Sequence, residues 1–289
     1  MREKRRMNPD EKIKYRRLYD GGLRWQQLAD RINGDLTTSY TKSQVRDMLK
    51  RVTVTQDAGN VGNGQEKRPT LVFSDLHLPY HREGYLEFLQ ETHKKYNCKE
   101  LVICVGDLAD HHAISRFKSE PDAMGDIHEM NETYDEIQKI VKAFPKAIIT
   151  LGNHDLIVFR QAAEMGLSTR YLKSFEELWN LPATWQVVDE IIIDDVLYSH
   201  GVGSGGKDGA INKAMSEQMS NVQGHYHAFG GCKYIANKRN LIFGLNTGCL
   251  CDPNSIAMAY GKHSKYRPTL GCGIVYSKNQ ATFVPWILE

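Results

Sequence analysis

The sequence predicts an α/β protein in which a layered domain follows a small three-helix domain. Beyond residue 68, short apolar runs rich in β-branched residues alternate with amphipathic stretches, a pattern typical of strands and helices stacked in layers. The first 52 residues contain three short amphipathic stretches instead. Residues 55–68 are rich in Gly, Asn and Gln, which predicts a flexible linker between domains at 1–54 and 69–289.

Three helices are expected in the N-terminal domain, each with one apolar stripe. In the second and third, apolar residues recur at i, i+3, i+4 and i+7, so the stripes can be buried only against one another. Terminating residues mark the ends of these helices: Pro9-Asp10-Glu11 opens the first and Gly21-Gly22 stops it, Asn33-Gly34 ends the second, whose stripe begins at Trp25, and the capping-box pair Thr41 and Gln44 begins the third.

The layered domain is built from apolar runs that suit strands buried on both faces. These runs are Thr70–Phe73, Leu101–Val105, Ala147–Leu151, Ile191–Ile193 and Val196–Tyr198. Helices are expected at Glu83–Tyr96 and Glu129–Phe144, and further strands, including a hairpin, at Leu241–Leu245 and Gly273–Trp286. Ligands of such folds bind at the carboxyl ends of the strands.

Charge is unevenly distributed along the chain. The net charge is +2, but the first 52 residues contain 14 basic and 7 acidic residues, whereas the remainder is acidic overall. This asymmetry favours contact with a polyanion at the N-terminal domain.

Three features predict a cytoplasmic protein. No apolar run is long enough to span a membrane, and the charged N-terminus lacks the apolar stretch of a secretory signal. The six cysteines show no CxxC pair, which fits a reducing compartment. Cys249 and Cys251 form a CxC pattern that could bind a soft metal ion, although buried thiols are the preferred interpretation.

Polar clusters with oxygen and imidazole groups follow the apolar runs. Alternate residues of an extended segment point the same way, so Asp-x-His and His-x-His can each aim two ligands at one place. Carboxylate, imidazole and amide without thiolate favour Mn, Fe, Zn or Ni. The clusters are Asp75-Leu-His77, Gly106-Asp107-Leu-Ala-Asp110, Gly152-Asn153-His154-Asp155, His200-Gly201 and Gly224-His225-Tyr-His227.

In this order the five clusters resemble the calcineurin-like metallophosphoesterase superfamily, over residues 71–227. The resemblance implies a layered αββα sandwich and two divalent metal ions, of which Mn is the first expectation, with a bridging hydroxide that attacks phosphorus in line. It implies that Asp107 bridges the two ions, that Asp75, His77 and His227 bind one of them, and that Asn153, His200 and His225 bind the other.

The resemblance also implies roles for residues beside the ligands. His154 would protonate the leaving oxygen, and Asp110 would orient His154. Asp155 is expected to be structural and to bind backbone groups of the loop.

One departure from the family pattern concerns the substrate. Protein serine/threonine phosphatases of this superfamily have an Arg after GDxxD that grips the terminal phosphate oxygens, whereas His111, followed by His112, stands here. A singly charged diester needs that guanidinium less than a monoester dianion does. Further candidates for substrate contact are His111 itself and Lys207 in the glycine-rich segment 201–207, which otherwise reads as a mobile loop.

The second and third N-terminal helices resemble a helix-turn-helix, although the segment between them is longer than usual. The side chains expected to contact nucleic acid are Lys42, Ser43, Arg46, Lys50 and Arg51. The alternative is a small bundle that serves oligomerisation or binds a protein partner.

These features support three hypotheses. The first is a DNA phosphodiesterase, a nuclease or nickase delivered by the N-terminal domain, in a bacterial or phage-infected cell. The second is a phosphomonoesterase or small-nucleotide phosphodiesterase with a regulatory N-terminal domain. The third, a DNA-binding regulator with an inactive catalytic domain, conflicts with the complete set of ligands and the His154–Asp110 pair.

Overall fold

The computed structural model describes residues 25–36, 39–49, 68–116, 123–256 and 265–287, together with residues 7, 15 and 258. Contacts divide the chain into two units, Met1–Gly62 and Asn63–Glu289. The predicted first helix, apart from Tyr15, and the predicted linker, apart from Arg68, lie outside the described residues.

The N-terminal unit contains helices α1 (Trp25–Leu36) and α2 (Lys42–Leu49). The apolar stripe is buried, with Leu28 and Ile32 fully excluded from solvent in α1. The predicted capping box is confirmed, because Thr41 and Gln44 exchange backbone-to-side-chain hydrogen bonds of 3.0 and 3.3 Å.

The predicted end of α1 at Asn33-Gly34 is wrong, because the helix continues to Leu36. The Asn33 side chain reaches forward and makes two hydrogen bonds, of 2.7 and 2.8 Å, with the backbone of Tyr40. These bonds fix the connection to α2 and satisfy the groups that would otherwise favour a turn at Asn33.

The larger unit consists of eleven strands and five helices within its described residues. The strands are β1 (Thr70–Phe73), β2 (Leu101–Cys104), β3 (Lys146–Thr150), β4 (Trp185–Val188), β5 (Glu190–Ile193), β6 (Val196–Ser199), β7 (Ser220–Gln223), β8 (Gly230–Ala236), β9 (Leu241–Thr247), β10 (Gly271–Ser277) and β11 (Gln280–Pro285). The helices are α3 (Tyr85–Lys95), α4 (Asp126–Ala143), α5 (Ile157–Glu164), α6 (Phe175–Leu178) and α7 (Gly209–Glu217).

Two sheets are formed. The first has the order β11-β10-β1-β2-β3-β4, with β1 to β4 parallel and β10 and β11 as an antiparallel hairpin. The second has the order β5-β6-β7-β9-β8, with β6, β7 and β9 parallel. Parallel strands of each sheet therefore end at a common edge.

The layers follow from the alternation of side chains along each strand. Strand β1 directs Leu71 and Phe73 into the core shared with α3 and α4, and directs Val72 into the core between the sheets. Tyr198 and Phe243 from the second sheet meet Val72 there. Helix α7 packs on the opposite face of the second sheet. The αββα sandwich predicted from the sequence is thus confirmed.

Several elements had no clear signal in the sequence. Strands β4, β7 and β8 and helix α7 were not anticipated, because their apolar residues are few or interrupted by polar ones. No helix in the described part of the chain is both long and apolar enough to cross a membrane. All six cysteines are free thiols.

Candidate metal centre and active site

Five loops bring the predicted ligands together at one edge of the sandwich. Asp75 follows β1, Asp107 follows β2, Asn153 follows β3, His200 follows β6 and His225 follows β7. These five strands are parallel within their sheets, so their carboxyl ends lie at common edges. Hydrogen bonds between the loops, such as the one from the His225 amide to the Asp75 carboxylate (3.0 Å), join the edges of the two sheets.

Asp75, His77 and His227 form a first cluster that could hold a metal ion. Asp75 Oδ1 lies 3.0 Å from His227 Nε2, and the Nε2 atoms of His77 and His227 are 3.2 Å apart. Burial alone would raise the pKa of Asp75, but the hydrogen bond from His227 holds that pKa below its usual value. The Asp75 carboxylate is therefore ionised, as a metal ligand must be.

Asp107, His200 and His225 form a second cluster. His200 Nε2 lies 3.0 Å from Asp107 Oδ2 and 3.2 Å from His225 Nδ1. The same His200 nitrogen is 3.1 Å from the amide oxygen of Asn153, which adds a fourth donor. Burial would lower the pKa of His200, but the charge of Asp107 raises it to about 9.

Asp107 lies between the two clusters. Its Oδ2 is 3.0 Å from His200 and 3.8 Å from His77, a member of the first cluster. Burial opposes ionisation of Asp107, but the charges of His200, His154 and His77 hold its pKa far below the usual value. One ionised carboxylate therefore faces both groups of imidazoles.

The donor atoms fit a divalent cation. Ligand atoms around a tetrahedral ion with bonds of about 2.1 Å are roughly 3.4 Å apart, and most separations within the two clusters are 3.0–3.2 Å. The second ring nitrogen of two of these histidines is held by a hydrogen bond. His77 Nδ1 lies 2.5 Å from Asp110, and His200 Nδ1 lies 2.9 Å from the Val105 carbonyl oxygen. Such contacts leave Nε2 free for a metal ion.

Backbone strain is concentrated in these loops. Asp75, His77, Asp107 and His225 all have φ between 50° and 69°, a left-handed conformation that non-glycine residues rarely adopt. Strain of this kind persists where the surrounding structure enforces it, and it is frequent at functional sites. Asp75, His77 and His225 therefore do not lie in extended segments, and the alternation expected from the sequence is not what brings the ligands together.

His154 and Asp110 form a pair beside the two clusters. His154 Nδ1 is 2.9 Å from Asp110 Oδ1, and its ring packs edge-on against His77. Burial would lower the pKa of His154, but the hydrogen bond with Asp110 and the charge of Asp107 raise it to about 9. The imidazole is a quarter exposed, so it can reach a bound molecule.

Asp155 binds the backbone of two loops. Its buried carboxylate accepts hydrogen bonds of 2.8–3.0 Å from the amides of Asp107, Leu108, Ala109 and Gly152. The predicted structural role of Asp155 is thus confirmed: this carboxylate ties the loop after β2 to the loop after β3.

We expect Asp155→Ala to destabilise the protein by about 3 kcal/mol, because four buried amides lose their acceptor. In a unit of this size the melting temperature should fall by roughly 6–12 °C, as measured by circular dichroism. The exposed Asp189 provides the control, since Asp189→Ala should leave the melting temperature unchanged. Equal melting temperatures for the two variants would contradict the role of Asp155.

Gly152 is required because no side chain fits at its position. A methyl group there would collide with both the carboxylate and the backbone nitrogen of Asp107. We expect Gly152→Ala to displace Asp107 and to weaken metal binding by about 10–100-fold, as loss of a supporting contact does. Titration with Mn²⁺ followed by calorimetry measures the effect. Gly205→Ala is the matched control, because a methyl group at Gly205 meets no atom within 4 Å; equal affinities would refute the steric argument.

Other residues singled out in the sequence lie outside the two donor clusters. His111 is buried with its ring 5.7 Å from that of Trp179, and burial lowers its pKa to about 4. His112 Nδ1 is 3.9 Å from Asp110, and Lys207 is exposed in the loop that follows His200. Cys249 and Cys251 belong to no metal-binding cluster in the described residues.

The expected nucleic-acid contacts belong to the N-terminal unit. Lys42 and Ser43 are exposed in the first turn of α2, and the backbone of Arg46 continues the same helix. The Arg46 side chain, Lys50 and Arg51 lie outside the described residues.

Sequence reasoning missed Glu129, a buried carboxylate in α4. It accepts hydrogen bonds from the amides of His112 (2.6 Å) and Ala113 (2.7 Å) and so fixes the loop that carries Asp110. Burial raises the pKa of Glu129 to about 7. No spacing marked this residue, because its partners are backbone groups of a loop 16 residues away.

Comparison with known proteins agrees with this geometry. Residues 68–246 match the calcineurin-like phosphoesterase family. Among curated proteins none matches the chain significantly. The crystal structure of the Pseudomonas putida nuclease MPE is 18% identical over 65% of this chain and 82% of that protein, with a TM-score of 0.31, too loose a superposition to bear on the substrate.

Members of this family are phosphoester hydrolases that use divalent metal ions, and the family match spans the loops that carry the two donor clusters. Five loops, two donor clusters and the matched residues all lead to one assignment. This chain belongs to the calcineurin-like phosphoesterase family.

Proposed function

We propose that this protein is a phosphodiesterase that hydrolyses DNA with the aid of two divalent metal ions, in the first instance Mn²⁺. The observation that carries the proposal is the position of Asp107, whose ionised carboxylate faces both donor clusters. Seven donors then serve two ions, with Asp75, His77 and His227 on one side and Asn153, His200 and His225 on the other.

Two ions held there would supply a nucleophile at neutral pH and neutralise charge on the phosphoryl oxygens. The protein's own groups do the rest. Asp110 holds the His154 ring through a 2.9 Å hydrogen bond and favours its protonated form. His154 then donates its proton to the leaving oxygen, which is the step that an unactivated alcohol leaving group requires.

A diester is the better substrate for this site. The position after GDxxD is His111, which is buried against Trp179 and is kept neutral by a pKa of about 4. The site therefore lacks, at that position, the cation that would grip the second negative charge of a monoester. A diester phosphate has one negative charge and does not need it.

DNA is proposed as the substrate because the N-terminal unit is basic and presents a helix suited to phosphate contacts. The first 52 residues have twice as many basic as acidic side chains, and Lys42 and Ser43 are exposed at the start of α2. A tethered DNA-binding unit raises the local concentration of substrate at the metal centre.

Activity on three substrates tests the reaction. The full chain is incubated with MnCl2 and supercoiled plasmid, bis(p-nitrophenyl) phosphate or p-nitrophenyl phosphate. We expect plasmid nicking and hydrolysis of the diester, both dependent on added metal. Hydrolysis of the monoester without nicking would instead favour a phosphomonoesterase and would reject the proposal.

Salt dependence tests the N-terminal unit. The full chain in EDTA is titrated with a fluorescent duplex at several salt concentrations, alongside Lys42→Ala and the control Arg239→Ala, an exposed arginine of the β8–β9 turn. Loss of one phosphate contact should weaken binding and reduce the slope of log affinity against log salt by about one in Lys42→Ala alone. A slope near zero for the wild type would exclude phosphate contacts.

A further inference from the structure

An exposed ion pair and a neighbouring arginine lie near the loop that carries His154. Arg116, which follows the loop of Asp110, makes two hydrogen bonds with Glu164 at the end of α5. Arg160 lies one helical turn before Glu164 on the same face of α5 and contributes to lowering the pKa of Glu164. Arg116 is therefore paired with Glu164, and Arg160 adds a second positive charge one helical turn away.

This group adjoins the residues expected to carry the reaction. Arg160 Nη2 donates a hydrogen bond of 2.5 Å to the carbonyl oxygen of Asn153, the residue before His154. Gln161 Nε2 donates to the Ile114 carbonyl oxygen (3.0 Å), which ties α5 to the loop that precedes Arg116. Arg160 therefore lies beside the backbone of the loop that carries Asn153 and His154, and the ion pair with Glu164 brings Arg116 to the same helix.

Structural stability does not explain the pairing. The side chain of Arg116 is 70% exposed and that of Glu164 is 43% exposed. Ion pairs this exposed contribute little to folding, since water screens the attraction and ordering two long side chains costs entropy. The Arg116 guanidinium can therefore exchange Glu164 for the phosphate of a ligand at little cost.

The chain beyond α5 adds an exposed aromatic ring and more positive charge. A 3-10 turn at Thr169–Tyr171 packs back on α5, and Tyr171 is 81% exposed. Arg170 and Lys173 are exposed beside it. Residues 160–173 thus contain three basic side chains and one acidic one, in a unit that is otherwise acidic.

We propose that Arg116, Arg160 and Tyr171 form a binding surface for a single-stranded stretch of DNA next to the scissile phosphodiester. The arginines bind a neighbouring backbone phosphate, in competition with Glu164, and Tyr171 stacks on an unpaired base. Because the surface adjoins His154, it holds the strand that departs with the leaving oxygen. The inference rests on the proposed phosphodiesterase function and names the form of DNA that the same site takes.

A single strand fits this surface better than a duplex. An exposed tyrosine can stack only on a base that is not already stacked within a helix, and stacking accepts any base. The surface therefore confers affinity without sequence preference, whereas the N-terminal unit is proposed to contact duplex DNA.

Two substrates distinguish a defect in this surface from a defect in the metal centre. Kinetics are measured with the full chain and Mn²⁺ on a fluorescent single-stranded oligonucleotide and on bis(p-nitrophenyl) phosphate, which has no neighbouring phosphate or base. The variants are Arg116→Ala combined with Arg160→Ala, and Tyr171→Ala. We expect the ratio of kcat/KM for the oligonucleotide to kcat/KM for the small diester to fall about tenfold or more, chiefly through KM. Tyr171→Phe retains the ring and should keep the wild-type ratio.

Binding without metal gives an independent measurement. In EDTA, fluorescence anisotropy should show about tenfold weaker binding of the oligonucleotide by both alanine variants. The double arginine variant should also have a shallower salt dependence, by about 0.7 for each lost phosphate contact. Arg239→Ala is the control for a lost surface arginine. Arg239 lies in the turn that precedes β9, whereas Thr247, at the other end of β9, hydrogen-bonds to Ser74, the neighbour of the proposed ligand Asp75.

The outcomes distinguish the two proposals. A wild-type protein that cleaves DNA, with variants that keep both the ratio and the affinity, would overturn the surface and leave the proposed function intact. Equal losses on both substrates would mean that Arg160 only supports Asn153, which also overturns it. A wild-type protein that binds the oligonucleotide through these residues but cleaves no DNA would retain the surface and reject the nuclease. Absence of any binding would reject the surface.

Discussion

Asp107→Asn is expected to remove most of the phosphoester hydrolysis while the protein stays folded. The asparagine oxygen can still accept the hydrogen bond of 2.8 Å from the His154 amide, so the loop keeps its anchor. The negative charge between the clusters is lost, however, and two cations held there would repel each other without a carboxylate to offset the repulsion. We expect kcat to fall by about a thousandfold, as when a group that stabilises transition-state charge is removed.

Elemental analysis after dialysis against Mn²⁺ measures the cause directly. The wild type should retain two ions per chain and Asp107→Asn fewer. Asp195→Asn is the matched control: Asp195 lies in the β5–β6 turn, at the opposite end of β6 from His200, and its left-handed φ of 59° suits asparagine. Wild-type activity and metal content in Asp107→Asn would remove the basis of the two-metal mechanism.

His154→Ala is expected to reduce hydrolysis of DNA by about 10²–10⁴-fold, the usual contribution of a positioned general acid. The loss on bis(p-nitrophenyl) phosphate should be much smaller, because p-nitrophenolate leaves without a proton. His128→Ala, which removes an exposed histidine from α4, is the control and should act as the wild type. Equal losses on both substrates would show that His154 does not protonate the leaving oxygen.

The pH dependence follows from the hydrogen bond between His154 and Asp110. The pKa of His154 is raised to about 9, and the acid is active when protonated, so activity is present below that pKa and lost as pH rises through it. Bound cations oppose protonation and move this alkaline limb to lower pH. Asp110→Asn removes the favourable charge, so its alkaline limb should lie at lower pH than that of the wild type. A pH–rate profile with an unchanged or higher limb would contradict the pairing.

Much of the fold could be predicted because burial leaves a direct trace in the sequence. Runs such as Thr70–Phe73 contain residues that pack on both faces, and the strands appear where those runs were found. Helix α7 could not be found in this way, because it follows a glycine-rich loop and buries only a short stripe against β9. Its place is decided by the second sheet and has little local signal.

The candidate site could be predicted only in part. The chemistry of the side chains and their order after strands drew attention to the five clusters, and the structure brings these together. The burial of His111 against Trp179 was not foreseen, because a histidine after a polar motif reads as a surface residue. The exposure of Tyr171 and the ion pair between Arg116 and Glu164 likewise depend on how α5 packs.

By itself the sequence determined which donors are available, that they follow strands, and that a basic segment precedes an acidic layered domain. Only the tertiary structure decided which donors meet. His77 and His227 are 150 residues apart, yet their Nε2 atoms are 3.2 Å apart. The physical reason is that packing of two sheets brings their strand ends together, and hydrogen bonds such as those of Asp155 hold the strained loops in place. Neither effect is encoded in local spacing.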